Sequence, residues 1–190
     1  MKHYLRIIIS IIAIFAGLAA IQLLMGRSFF GPDNMFGWWT SSIWSNEQSQ
    51  RLADPYSLSH IIHGLAFYAI LWLFARKMPV WKRLLLAFLM EAGWEILENT
   101  SFIIERYRAV TISLGYYGDS ILNSLGDMLM MGIGFFLAYK LRPWQGIALV
   151  FLLEIILLFW VRDNLTINII MLIYPIEAIK NWQLMVTPMV

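Results

Sequence analysis

Six apolar segments, separated by short polar or charged stretches, dominate the pattern of hydrophobic positions along this chain of 190 residues. Each approaches the roughly 20 residues that a helix needs to cross a bilayer. The pattern predicts an all-α, polytopic membrane protein, built as one helical bundle over residues 1–190 with about six transmembrane helices. The predicted segments are 4–25, 58–75, 84–104, 120–139, 146–161 and 165–179, and Pro175 is expected to bend or end the last one.

Composition agrees with this class. Hydrophobic residues make up 60% of the chain and charged residues only 14%, whereas a soluble domain carries about 25% charged residues. The net charge of +2 is too small to indicate a nucleic-acid partner. Because the chain has no cysteine, disulfides, thiol catalysis and thiolate metal sites are excluded. A bound metal would need histidine, carboxylate or amide ligands.

Basic residues cluster at alternate ends of the predicted helices, and cytoplasmic loops of membrane proteins are rich in Lys and Arg. This distribution predicts both termini in the cytoplasm, and the first segment is interpreted as a retained signal anchor. Loops 26–57 and 105–118 would then face the periplasm or the exterior. The basic residues are Lys2, Arg6, Arg76, Lys77, Lys82, Arg83, Lys140 and Arg142.

The predicted outer loop at 26–57 is rich in aromatic residues. Trp and Phe beside a membrane usually lie at the level of the lipid headgroups. The loop is therefore interpreted as an interfacial aromatic belt, or alternatively as a lid over a site that lipid can reach. Its aromatic residues include Phe29, Phe30, Phe36, Trp38, Trp39 and Trp44.

Three consecutive predicted helices each carry one polar stripe. Helical spacing places the members of each stripe on a common face. The periodicity and the topology together predict one outward-opening polar pocket, with Glu91 lying deeper, nearer the inner end of its helix. The stripes are His60 and His63; Glu91, Glu95 and Glu98; and Asp119, Asn123 and Asp127.

Several carboxyl groups facing one another in a poorly solvated site cannot all stay ionised. Either some are protonated, or a divalent cation and the two histidines neutralise them. Nitrogen and oxygen ligands suit Zn, Mn or Fe. We therefore expect metal ligation by His60, His63, Glu95 and Asp127, and catalytic roles for Glu95, Glu98, Asp119 and Asn123. The alternative is that these groups only join helices by hydrogen bonds.

Five further polar positions have local interpretations. Arg106 and Arg108 either lie at the surface or hold the phosphate or carboxylate of a substrate headgroup. Glu154 is expected to face the bundle interior, paired or protonated. Asp163 or Asn164 is expected to cap the last segment.

Two resemblances accompany these patterns. The stretches 49–64, 94–99 and 162–168, which include Ser59-His60-Ile61-Ile62-His63-Gly64, resemble an uncharacterised bacterial inner-membrane family known only as a domain of unknown function. That resemblance implies location and topology but no activity. More distantly, Asp119-x-x-x-Asn123-x-x-Gly126 is similar to VanZ-like membrane proteins, which are associated with glycopeptide tolerance and envelope lipids. Glu98 stands where that family commonly has Gln, so no function is carried over.

The pocket supports three hypotheses. The first is a metal-dependent or acid/base membrane enzyme, a hydrolase or transferase, acting on a membrane lipid or lipid-linked small molecule. The second is a transporter or binding protein for an ion or lipid, whose carboxylates relay protons or coordinate a passing cation. The third is a structural membrane protein. The sequence names neither the substrate nor the reaction.

Overall fold

The structure, a computed structural model, describes residues 2–185. This part of the chain contains eight helices and no β-strand. Met1 and residues 186–190 of the predicted domain lie outside the described residues. The all-helical prediction is confirmed. The helices are α1 (Lys2–Leu24), α2 (Ser57–Phe74), α3 (Val80–Glu98), α4 (Ser101–Val110), α5 (Ile121–Lys140), α6 (Pro143–Val161), α7 (Leu165–Ile173) and α8 (Glu177–Leu184).

Four of these helices, α1, α2, α5 and α6, are long and apolar enough to cross a membrane. This supports membrane association. The share of each span that is buried inside the protein differs widely, from 11% in α1 and 17% in α6 to 56% in α5. Helix α5 therefore lies at the centre of the bundle, whereas α1 and α6 turn most of their apolar side chains outward.

The predicted third segment, 84–104, is two helices rather than one. Helix α3 ends at Glu98 and α4 begins at Ser101. The break follows from local capping, because the hydroxyl of Thr100 accepts a hydrogen bond from the backbone N–H of Ile103. α3 has the length to span but carries several charged side chains, and it is not among the four candidate spans.

The predicted count of six crossings is not confirmed. Helix α7 has nine residues and α8 has eight, so neither can span alone. Pro175 lies in the break between them, as predicted. The side-chain amide of Gln183 in α8 donates to the backbone oxygen of Arg162 at 3.0 Å. The described part of α8 therefore stays beside the end of α6, and the predicted cytoplasmic position of both termini is not confirmed.

Helices α2 and α5 pack closely because glycines lie at their crossing. A Cβ added to Gly64 would meet the backbone oxygen of Met131 at 2.0 Å, and one added to Gly134 would meet that of Ile61 at the same distance. Larger residues would push the helices apart. This close packing fixes the first two turns of α2, which carry both histidines of the predicted pocket, against α5.

The segment between α1 and α2 packs over one end of the bundle. Arg51 holds this segment together, since its guanidinium pairs with Asp33 at 2.5 Å and with Glu47 at 2.6 Å. The backbone of Leu52 packs so tightly on Gly126 of α5 that a Cβ there would lie 1.8 Å from its carbonyl oxygen. Several aromatic side chains of the segment are exposed, as an interfacial belt requires: Phe29, Phe36, Trp38 and Trp39.

Candidate functional site

His60 lies where three helices meet. Its Nδ1 atom is 2.5 Å from Oε1 of Glu91 on α3, and its Nε2 atom is 3.7 Å from Oδ2 of Asp127 on α5. Since the His60 side chain is 9% exposed and both carboxyl groups are buried, the imidazole connects two acidic groups away from bulk solvent. This geometry joins the three stripes that the sequence places on separate helices.

Glu91 belongs to this cluster, although the sequence analysis placed it deeper than the rest of the site. Nδ1 of His63 lies 3.1 Å from Oε2 and 3.3 Å from Oε1 of the same carboxyl group. At about 1.5 Å per residue, Glu91 lies about 10 Å before the end of α3, and His63 lies about 9 Å after the start of α2. Because these two helix termini are at the same end of the bundle, the two residues lie at similar depth, and their pairing could have been predicted from the sequence.

Two overlapping sets of ligand atoms could hold a metal ion. One consists of His60, His63 and Glu91, and the other of His60, Glu95 and Asp127, with the ligand atoms of each set within 4.8 Å of one another. The predicted metal ligands therefore do come together, but in two groups that share His60, and Glu91 replaces Glu95 beside His63.

The chemistry of the second set suits a cation. Oε1 of Glu95 is buried and has no hydrogen-bond partner among the described residues, although it lies 3.6 Å from Nδ1 of His60. An unpartnered buried carboxyl oxygen is costly, and a cation or a proton would relieve that cost. The other oxygen of the Asp127 carboxyl group accepts a hydrogen bond from the Ser57 hydroxyl at 3.0 Å, which orients Asp127.

A second polar group forms around Asp119. Its carboxyl oxygens accept hydrogen bonds from the Asn99 side chain at 2.7 Å and from the Tyr116 hydroxyl at 3.0 Å. The spacing of Asp119, Asn123 and Asp127 predicts that Asp119 belongs to a helical stripe, but Asp119 lies just before α5, whose N-cap is Ser120. It therefore meets the end of α3 through Asn99 rather than through helical periodicity.

Two acidic groups outside the helices have altered acidity. Burial, reinforced by the charge of Asp119, raises the pKa of Asp54 to about 6. Burial also raises the pKa of Asp119, against the opposing effect of its hydrogen bonds from Asn99 and Tyr116. Both groups therefore hold a proton more readily than a surface aspartate.

These groups surround one cavity of about 660 Å³. Six of the predicted site residues line it: His60, His63, Glu98, Asp119, Asn123 and Asp127. Glu95 lies behind the wall, against His60. Asn123 also holds the segment between α1 and α2 in place, since its side-chain amide donates to the backbone oxygen of Arg51 at 2.8 Å.

Arg106 and Arg108 are not lining residues of this cavity. Nε of Arg106 donates to the backbone oxygen of Leu172 at 2.9 Å, and Nε of Arg108 donates to the backbone oxygen of Tyr116. Both guanidinium groups thus contact the protein backbone. Their predicted role at a substrate headgroup stays a prediction.

The predictions for the cap at Asp163 or Asn164 and for Glu154 in the bundle interior have clear outcomes. Asn164 is the N-cap of α7, where its side-chain oxygen accepts from the N–H of Ile167 at 2.8 Å. Glu154 is half-buried, and its carboxyl group accepts hydrogen bonds from the backbone N–H groups of Leu165 and Thr166. It therefore pairs with the first turn of α7 and has a structural role.

Several lining residues were not predicted from the sequence, some in the segments between helices and others in α2 and α4. The Asp54-Pro55 pair, immediately before α2, was the available signal, because such a pair often begins a turn that leads into a helix. Aromatic residues in the long loop and in α4 carried no periodic signal. The missed residues include Trp44, Asp54, Tyr56, Ser59 and Tyr107.

Comparison with known proteins identifies relatives but no activity. The family model described as "Protein of unknown function (DUF2585)" matches residues 22–185. A UPF0314 protein of Paracoccus denitrificans (strain Pd 1222) is 48% identical over 167 residues, covering 87% of this chain and 86% of the relative. UPF0314 proteins of Sphingopyxis alaskensis and Rhizobium etli (strain CIAT 652) are 46% and 42% identical, covering 90% and 96% of this chain and 91% and 93% of their own.

No solved structure gives a significant match to the chain. The predicted resemblance to an uncharacterised family is confirmed by these relatives. The resemblance to VanZ-like membrane proteins stays a prediction, since neither the matching family model nor these three relatives carry that description.

Proposed function

The chain belongs to the DUF2585 family of proteins of unknown function, and from the geometry around His60 we propose that it is a metal-assisted or acid/base enzyme of the bacterial inner membrane. Its substrate would be a lipid or a lipid-linked small molecule. The reaction would be a hydrolysis or a group transfer in the cavity between α2, α3 and α5.

The proposed orientation follows from the charged ends of the helices. Basic residues lie where α2 is joined to α3 and where α5 is joined to α6, as at Arg76 and Lys140. By the positive-inside rule these ends face the cytoplasm. The cavity residues His60, Glu98 and Asp119 lie near the opposite ends of the same helices, so the cavity would open toward the periplasm.

The observation that carries the proposal is the position of His60 between Glu91 and Asp127. When one nitrogen of a histidine bonds a buried carboxylate, its other nitrogen is fixed in place as a metal ligand or a proton acceptor. Here that other nitrogen, Nε2, faces Asp127 in the cavity wall. The unpartnered oxygen of Glu95 completes a three-residue set that fits a divalent ion such as Zn, Mn or Fe.

A bound divalent ion would polarise a substrate oxygen or lower the pKa of a water molecule. The protein's own contribution is to hold the reacting groups in place and to move a proton. Glu98 and Asp119 line the cavity, and burial raises the pKa of Asp119, so its carboxyl group would hold and donate a proton more readily than a surface aspartate. The segment over the cavity would restrict the entry of water.

An activity screen tests the proposal. Detergent-purified protein is incubated with a total lipid extract of a bacterial envelope, with and without a chelator, and the products are identified by mass spectrometry. We expect at least one lipid to be consumed, and His60→Ala to slow this reaction by about 100-fold or more. His3→Ala is the matched control, because His3 is exposed on α1 and should leave the rate unchanged.

A wild-type protein that converts no lipid in the extract would contradict the enzyme proposal. Equal activity of wild type and His60→Ala would contradict the assigned site.

A further inference from the structure

The charge of the cavity wall limits what can enter it. Four carboxyl-bearing residues line the cavity, Asp54, Glu98, Asp119 and Asp127. Among the described residues that line it, none is a lysine or an arginine. Away from the proposed metal ligands, a phosphate or carboxylate group inside the cavity would face acidic side chains with no lysine or arginine among the lining residues, which opposes its binding.

Two tyrosine rings line the same cavity, and each lies beside one of these carboxyl groups. Tyr107 and Tyr116 meet edge to face with their ring centroids 5.2 Å apart. The Tyr116 hydroxyl donates to Asp119 at 3.0 Å, and the Tyr107 hydroxyl, which donates to Asn168 at 3.1 Å, also lies close to Glu98. Two adjoining rings with a carboxyl group at each combine the two features that attract organic cations, a negative ring face and a negative charge.

One further polar group in the wall lacks a partner. The hydroxyl of Ser59 is buried and makes no hydrogen bond among the described residues, and Ser59 lines the cavity one position before His60. Buried hydroxyl groups are nearly always hydrogen-bonded. The unsatisfied hydroxyl therefore indicates that a ligand or a water molecule completes this part of the wall.

From the acidic wall, the paired rings and the unsatisfied hydroxyl we infer that the cavity takes a cationic ligand, one that carries an amine or quaternary ammonium group. A bound ammonium group would favour the ionised forms of Glu98 and Asp119, which then supply the negative charge beside the rings of Tyr107 and Tyr116. The inference rests on the proposed function only in treating the cavity as the substrate site. It also replaces the expectation of an anionic headgroup held by Arg106 and Arg108.

A binding experiment with headgroups of opposite charge tests this inference. Purified protein in maltoside detergent is titrated with dihexanoyl phosphatidylcholine, with dihexanoyl phosphatidylglycerol and with free choline, and binding is followed by calorimetry. We expect phosphatidylcholine to bind at least about tenfold more tightly than phosphatidylglycerol, whose chains are identical. Comparable binding of choline would identify a free organic cation as the ligand, and choline binding that is much weaker would identify a lipid headgroup.

Matched variants locate the binding. Glu98→Gln should weaken phosphatidylcholine binding about tenfold, because it removes one negative charge from the cavity. Glu105→Gln is the same change on the exposed side of α4 and should have no effect. Tyr116→Leu removes one aromatic ring and leaves all four lining carboxyl groups in place, so it should weaken phosphatidylcholine binding about tenfold. This variant keeps the test informative if Glu98→Gln does not fold.

Tighter binding of phosphatidylglycerol, or no binding of any of the three probes, would overturn the inference. Metal content, measured on the same samples, distinguishes a failure of this inference from a failure of the proposed function. A metal-containing protein that prefers phosphatidylglycerol would overturn only the ligand class, whereas a metal-free protein that binds phosphatidylcholine would overturn only the metal.

Discussion

Nδ1 of His60 lies 2.5 Å from Oε1 of Glu91, and this contact joins α2 to α3 inside the bundle. Glu91 is fully buried and also accepts from His63 at 3.1 Å. A carboxyl group in this position is stable only while its imidazole partners remain. The contact is therefore both a structural link between helices and the orienting bond of the proposed site.

Replacing Glu91 should destabilise the protein strongly. Glu91→Leu leaves Nδ1 of the buried His60 and Nδ1 of the partly buried His63 without their acceptor, and breaking a buried pair in this way costs about 3 kcal/mol. The loss is measured as a lower free energy of unfolding in detergent. Glu105→Leu, a matched change at an exposed position, should alter it by less than about 0.5 kcal/mol. Equal effects of the two changes would show that Glu91 does not hold α2 to α3.

The crossing of α2 and α5 gives a second prediction. Gly134→Ala should lower the free energy of unfolding by about 3 kcal/mol, because the new Cβ would lie 2.0 Å from the backbone oxygen of Ile61. Gly93→Ala is the control, since no atom lies within 4 Å of its added Cβ. It should stabilise α3 by about 1 kcal/mol through helix propensity. Thermal unfolding that ranks the two variants in the opposite order would refute the packing.

Asp163 links three parts of the chain and makes stability depend on pH. It accepts hydrogen bonds from Tyr56 at 3.0 Å and from Gln183 at 3.1 Å. Burial raises the pKa of Asp163 to about 6, above the value of 3.8 for an exposed aspartate. The folded state therefore favours the protonated form. The stability contributed by this group is fully present below about pH 4 and is lost as pH rises through about 6.

The shift corresponds to about 3 kcal/mol. Unfolding in maltoside detergent between pH 4 and pH 8 measures this loss, and Asp163→Asn should flatten the curve. Asp33→Asn is the control of opposite sign, because a hydrogen bond from Arg51 lowers the pKa of Asp33. The stability that Asp33 contributes is lost only as pH falls below about 4. An Asp163→Asn variant with the full wild-type slope would refute the assignment.

Much of the fold could be predicted because the length and periodicity of the apolar segments determine where helices that face lipid form. The start of α2, the end of α6 and the cap at Asn164 follow from local sequence. The division of 84–104 at Thr100 and the short α7 and α8 were missed, since apolar content alone does not distinguish a spanning helix from two short helices packed on the bundle.

The candidate site was predictable in part for a similar reason. Helical spacing correctly assigned His60 and His63 to one face of α2, and Glu91 and Glu95 to one face of α3. Helical spacing could not assign which residues pair between helices, because this depends on the axial position of each helix relative to its neighbour. Asp54 and Tyr116 come from irregular segments, whose positions follow from tertiary contacts such as the hydrogen bond from Tyr116 to Asp119.

Metal content tests the central claim most directly. Protein is purified in detergent without chelator, and its Zn, Mn and Fe are measured per chain by elemental analysis, for wild type, His60→Ala, Glu95→Ala and Asp127→Asn. His63→Ala tests the other ligand set, that of His60, His63 and Glu91, and His3→Ala is the control. Thermal unfolding of every sample verifies that the variants are folded.

We predict about one divalent ion per wild-type chain, retained by His3→Ala and lost from folded His60→Ala, Glu95→Ala and Asp127→Asn. Metal-free wild type, or undiminished metal in the folded His60→Ala variant, would contradict the proposed site.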